Sequence, residues 1–92
     1  MMPYWVYVLR SDSASRRYVG QTDDVERRLE KHNSGLVFST APYRPWHLLH
    51  SEEFRTRGDA MRRERFLKSG QGRVFLDQLE DIVNRQSLPQ AD

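Results

Sequence analysis

Arg28 and His32 stand four residues apart in a segment, Tyr18 to His32, that reads as the end of a strand running into a helix. Val25 and Leu29 complete the same stripe at i, i+3, i+4 and i+7, so the face that should bury apolar side chains also carries a guanidinium and an imidazole. Glu64 falls four residues after Ala60 and three after Met61, which turns a carboxylate inward on a later helix. These types suit work on an anionic ester. Arg presents a fork to phosphate oxygens, His changes charge near neutrality, and a lone carboxylate fits a hard metal ion that keeps most of its waters. Each group also has a structural reading taken singly: Arg28 can snorkel from a helix edge, His32 can be a satisfied near-cap histidine, and Glu64 can pair with Arg28. Taken together, those readings need three coincidences of helix phase.

The elements that must hold these groups belong to one small domain, expected over residues 1–85 with a frayed tail at 86–92. A chain of 92 residues buries only ~60 to 65% of its unfolded surface, so polar residues inside it call for a reason. There is no cysteine, which removes disulfides and thiolate zinc sites as sources of stability. No apolar run has membrane length, and Met1 to Trp5 lacks a charged leader pattern. A cytoplasmic protein without membrane association is the expectation.

The net charge of +2 hides an uneven distribution: residues 55–73 hold seven basic side chains against two acidic ones, while 1–54 are balanced. Thirteen of the fifteen cations are Arg. This basic segment, with Arg57, Arg62, Arg65 and Lys68 at varied helical phases, suits contacts to nucleic-acid phosphates that carry no base information.

Tyr4 to Leu9 is aromatic and β-branched and apolar on both alternating faces, which predicts a central strand. Ser11 to Ser15 has turn composition, and Arg17 to Gln21 resumes strand character, giving an antiparallel hairpin. Gly20 at the strand exit allows a positive φ or a close backbone approach that a ligand would use. A helix is predicted from Asp23, capping with Glu26 three residues on, to Asn33, with Asn33-Ser34-Gly35 closing it. Residues 34–45 read as loop and Trp46 to Phe54 as a third strand alternating Trp46, Leu48, His50 against His47, Leu49, Ser51. Thr56 to Asp59 opens a second helix with Ala60, Met61 and Leu67 inward, and Ser69 to Gly72 breaks it. Phe75, Leu76, Leu79, Ile82 and Val83 mark a third helix to about Arg85. The expected fold is α/β, a three-stranded antiparallel sheet flanked by helices in the order β-β-α-β-α-α.

With Val6-Tyr7-Val8 in the first strand, Tyr18-Val19-Gly20 eleven residues after Tyr7, Arg28 and His32 on the following helix and Glu64 on a later one, the chain resembles a small single-domain GIY-YIG nuclease over residues 4 to about 76. The first tripeptide stands in degenerate form. Gln21 occupies a position where many members have Lys, and Leu76 one where several have Asn.

The resemblance implies hydrolysis of a DNA phosphodiester with one divalent metal, Mg²⁺ or Mn²⁺ in its place. By position, Tyr7 would be the general base for water with Tyr18 assisting, Arg28 would hold the scissile phosphate, His32 would orient or polarise the tyrosines, and Glu64 would bind the metal. Gly20, Gln21, Arg28, Arg57, Arg62, Arg65 and Lys68 would meet DNA. A free Tyr with pKa about 10 is about 0.1% ionised at neutral pH, so it needs cations that depress its pKa, expected to be Arg28, His32 and the metal. The rival readings are a nucleic-acid-binding or scaffold domain without turnover, and an interaction module whose basic helix meets an acidic protein.

Overall fold

The computed structural model describes residues 3–87. Its elements are strand β1 (Tyr4–Ser11), strand β2 (Arg17–Thr22), helix α1 (Val25–Ser34), a short 3-10 turn (Ala41–Tyr43), strand β3 (Trp46–Phe54), helix α2 (Arg57–Leu67) and helix α3 (Gly70–Ser87). The sheet is antiparallel with order β2-β1-β3, so the most apolar strand is the central one. Successive side chains of β1 point to opposite faces. Val6 and Val8 join Val19, Ala60, Leu67 and Leu76 in a core under α2 and α3, whereas Tyr7 and Leu9 join Trp46 in a second core under α1. The predicted sheet and element order are both present.

The differences are local and each has a cause. Helix α1 is capped by Asp24, not Asp23: Thr22 Oγ1 accepts from the Asp24 N–H at 3.1 Å, and the Asp24 carboxylate then accepts from the Arg27 N–H at 3.1 Å. Glu26 therefore misses the capping-box position. At the other end Gly35 adopts φ 85° and its N–H returns to the His32 carbonyl, closing the helix one residue beyond Asn33. Asn33 is spent instead on tying α1 to β3, donating to the Trp46 carbonyl at 2.9 Å and accepting from the Trp46 N–H at 2.7 Å.

In β3 strict alternation fails. The pairing with β1 steps from Val8↔His50 to Leu9↔Leu48, leaving Leu49 as the extra residue of a bulge. Trp46 consequently packs on the α1 side, while Leu49 packs into the core beneath α2 and α3 and the His50 ring meets Phe75 of α3. Helix α2 starts on the Thr56 cap as expected, but Met61 is exposed, as is Ile82 of α3.

The predicted break at Ser69 to Gly72 is only a corner, since α3 begins at Gly70. A Cβ at Gly72 would stand 2.1 Å from the Phe66 carbonyl oxygen, so a glycine is what lets the two helices meet this tightly. Gln86 and Ser87, assigned to the tail in the sequence reading, are helical; residues 88–92 of that tail lie outside the described residues. Among the described residues no helix is long and apolar enough to cross a membrane.

Candidate active site

Register decides which polar groups meet. Tyr7 pairs with Gly20, and Leu9 with Tyr18, so both tyrosines and the glycine share the α1 face of the hairpin. A Cβ on Gly20 would lie 2.8 Å from the Tyr7 hydroxyl and 2.9 Å from the Tyr18 ring. The glycine thus makes room for the tyrosine pair, and among the described residues the positive φ belongs to Gly35 alone. The two phenol rings lie 6.0 Å apart, and the His32 ring packs 4.7 Å from Tyr18 and 5.9 Å from Tyr7.

His32 arrives from α1 as the one buried residue of that helix. Its Nε2 lies 2.9 Å from the Tyr7 hydroxyl and its Nδ1 2.8 Å from Thr40 Oγ1. Thr40 Oγ1 in turn donates to the Val37 carbonyl at 3.3 Å. Burial first, and then the charge of Arg28, lowers the His32 pKa, so the ring is neutral at pH 7. This corrects its expected role as a cation beside the tyrosines. Burial also pushes the Tyr7 phenol well above the ordinary tyrosine range, and the neighbouring Tyr18 adds to that; the Arg28 charge pulls the other way without prevailing. The expected depression of the Tyr7 pKa is therefore absent from the protein by itself.

Arg28 is half-buried and lines a cleft of about 350 Å³ with Arg27, Lys31 and the Thr22–Asp24 turn. On the other side of Tyr18 a larger cleft of about 780 Å³ runs between the hairpin and α3, and its lining includes Arg16, Lys68 and Arg73. Tyr18 lines the larger cleft and Arg28 the smaller, and each also holds two carboxylates, Asp77 and Glu80 in the one and Asp23 and Asp24 in the other.

Glu64 reaches the same edge strand from the opposite face. Gln21, two residues after Val19, points toward α2 and donates to Glu64 Oε1 at 2.8 Å, while Lys68 donates to Oε2 at 2.6 Å. Gln21 and Lys68, not Arg28, are therefore its partners. Both Glu64 oxygens are thereby engaged, so a divalent ion would have to displace the Lys68 ammonium or the Gln21 amide to reach them. Among the described residues no group of three or more His, Asp or Glu is arranged to hold a metal, so protein oxygens at Glu64 would supply few of the ligands.

Arg57, Arg62 and Arg65 are exposed on α2 outside both clefts, and Arg62 is engaged by Asp59. Sequence reasoning missed Thr40, which is 2% exposed though it sits in a segment read as plain loop. Its signal was weak, one hydroxyl among small residues. It also missed a cluster beneath α2: Arg63 clamps Glu52 through two bonds of 2.9 and 3.0 Å, and His50 approaches the same carboxylate at 2.7 Å. Burial works to raise the Glu52 pKa, but the bonds and charges of Arg63 and His50 hold it below the usual carboxylate range.

The α1 face of the hairpin thus gathers Tyr7, Tyr18 and His32, while Glu64 meets the β2 edge from the opposite face. The model of the GIY-YIG catalytic domain matches residues 3–75. The chain belongs to the GIY-YIG family, which is a family of nucleases. It is similar to a UPF0213 protein of Streptococcus agalactiae, at 35% identity over 92% of this chain and 97% of the relative, and to one of Staphylococcus aureus, at 36% over 75% and 84%. Among solved structures it is similar to the solution NMR structure of a UPF0213 protein from Bacillus halodurans, with TM-score 0.52, 33% identity and 85% of each chain covered.

Proposed function

We propose that the protein is a divalent-metal-dependent endonuclease that hydrolyses DNA phosphodiester bonds. The observation that carries this reading is the hydrogen bond of 2.9 Å between the Tyr7 hydroxyl and His32 Nε2, in a site that also contains Arg28. A phenol whose pKa is raised is a poor base until it can shed its own proton. His32 is a neutral acceptor for that proton, so Tyr7 gives its proton to Nε2 as it takes one from water. The water oxygen bonds to phosphorus, the bond to the leaving oxygen breaks, and that oxygen is protonated from solvent. Arg28 holds the phosphate and balances the charge that develops on it. Glu64 would hold the metal, Mg²⁺ or Mn²⁺, which when bound supplies Lewis-acid stabilisation of the same charge.

Burial favours one variation on this scheme. Tyr7 is 1% exposed whereas Tyr18 is only half-buried, so Tyr18 meets the water and Tyr7 conducts the proton inward to His32. Arg27 and Lys31 on one side and Lys68 and Arg73 on the other offer cations to the phosphates flanking the scissile one.

The test is a cleavage assay over single-stranded, duplex and branched DNA. Product should form with Mg²⁺ or Mn²⁺, stop with a chelator, and vanish in Glu64→Ala. That variant should melt close to wild type, because the Lys68 ammonium it releases is already half-exposed to water. A folded wild type that binds DNA but never cuts it would leave a binding domain of the same fold.

A further inference from the structure

We infer that Thr40 is a positioning residue that fixes the tautomer of His32 and so makes Nε2 the proton acceptor for Tyr7. This role rests on the proposed nuclease reading. It is carried by the placement of hydrogens along one buried chain of polar atoms. Thr40 Oγ1 sends its own hydrogen to the Val37 carbonyl at 3.3 Å, which leaves the hydroxyl oxygen to accept. His32 Nδ1, 2.8 Å away, is then the ring nitrogen that bears the proton and donates to Thr40. Nε2 of the neutral ring keeps its lone pair and faces the buried Tyr7 hydroxyl at 2.9 Å, a hydroxyl that Tyr18 and Arg28 also approach. The opposite tautomer would require Thr40 to turn its hydrogen from Val37 to Nδ1.

The threonine is itself held in place. Its carbonyl accepts from the Trp46 indole Nε1 at 2.9 Å, and its N–H donates to the Val37 carbonyl at 3.1 Å. With 2% of its surface exposed, it cannot trade the histidine for water. The arrangement has the logic of a base oriented by a third group, with a neutral hydroxyl where a carboxylate would otherwise stand. That choice has a chemical consequence. A carboxylate at this position would favour the imidazolium, whereas a threonine oxygen orients the ring and leaves it neutral, ready to receive a proton.

The experiment compares wild type, Thr40→Val and Thr40→Ser by two readouts. Nitrogen-15 NMR of the free protein reports which His32 nitrogen carries the proton, and needs neither DNA nor metal. Wild type should show Nδ1 protonated and Nε2 bare; Thr40→Val should move protonation toward Nε2, while Thr40→Ser retains the wild-type pattern. In the cleavage assay Thr40→Val should lose about 10- to 100-fold in rate and Thr40→Ser should recover most of it. The pH–rate profile should change shape in Thr40→Val, since Tyr7 of β1, Tyr18 of β2, and Arg28 and His32 of α1 are the ionisable groups that face one another there. Trp46 fluorescence, which senses the indole bond to the Thr40 backbone, checks that the loop is intact. An unmoved His32 tautomer in Thr40→Val overturns the inference, as does a Thr40→Ser variant as impaired as Thr40→Val. If Thr40→Val does not fold, Thr40→Ser and Thr40→Ala carry the same comparison. Absence of cleavage by wild type with the expected tautomer would sink the nuclease reading and leave the orienting role standing.

Discussion

The two faces of the sheet solve opposite problems with the same three strands. On the α1 face the chain buries a continuous line of polar atoms, Tyr7 to His32 to Thr40, each within hydrogen-bond distance of the next. On the α2 and α3 face it buries Val6, Val8, Ala60, Leu67 and Leu76 and keeps its charges at the rim, where Glu64 meets Gln21 and Lys68 and Glu52 meets Arg63. Neutral groups survive burial when paired, whereas ion pairs are costly to bury and belong where water still reaches them. The difference teaches where protons and where cations are handled in this fold. The buried Tyr7–His32–Thr40 line belongs to the first, dry face, and the Glu64 and Glu52 ion pairs belong to the wet rim of the second.

Removing one atom from the dry face gives the largest expected effect. Tyr7→Phe should lower the cleavage rate by about 10²-fold or more, since it deletes the group that exchanges protons with His32. The wild-type rate should rise as pH climbs through the lowered His32 pKa and then level, because the active form pairs a neutral His32 with a Tyr7 that burial keeps protonated. Should Tyr18→Phe prove the more damaging of the two, Tyr18 is the phenol that meets water. A fully active Tyr7→Phe would end the distinction between the faces.

Gly20→Ala tests how tightly the dry face is packed. The added methyl would stand 2.8 Å from the Tyr7 hydroxyl, so it must displace one tyrosine. An overpacking cost of about 1–3 kcal/mol is expected, read as a fall in melting temperature of about 4–8 °C per kcal/mol, together with a loss of rate. An unchanged melt would mean that the pair has room to spare.

His32 sharpens the comparison through pH. Its folded pKa is lowered below the ordinary histidine value of 6.5, so the unfolded chain binds a proton that the folded one refuses. Its contribution to stability is complete above that value and is lost as pH falls through 6.5 toward the lower folded value. Between pH 8 and pH 5 the wild-type melting temperature should therefore fall further than that of His32→Gln. A parallel fall in both would show that His32 does not feel its burial.

The smallest effects belong to the wet rim. DNA binding that neutralises about three to five phosphates should weaken with a slope of about −3 to −4.5 in log affinity against log salt. Arg73→Ala, in the cleft beside Tyr18, should flatten that slope by about one unit. Arg62→Ala should leave it unchanged, because Asp59 already occupies that guanidinium. The reverse result would move the docking surface to the outer face of α2.

Local chemistry made much of this molecule legible in the sequence. The two apolar faces of Tyr4 to Leu9 fixed the central strand, whereas the Leu9↔Tyr18 register that sets Tyr7 and Tyr18 on a common face came only with the pairing of the strands. Helix phase turned Arg28, His32 and Glu64 inward before any contact was known. Other features arise only when distant segments meet. The bulge at Leu49 depends on how β3 settles against β1, and the Asp24 cap depends on a Thr22 turn that competes with Asp23. Gln21, noted for the cation it lacks, gained its role as a Glu64 partner only through the register that points it at α2. The protonation of the site was the least legible of all. His32 and Tyr7 look like a cation and its dependent phenol when read as residue types, but desolvation depends on the whole surrounding shell, and only the packed structure supplies that shell. Thr40 belongs with them: a hydroxyl eight residues from His32 acquires meaning when a loop folds back and buries it against the ring.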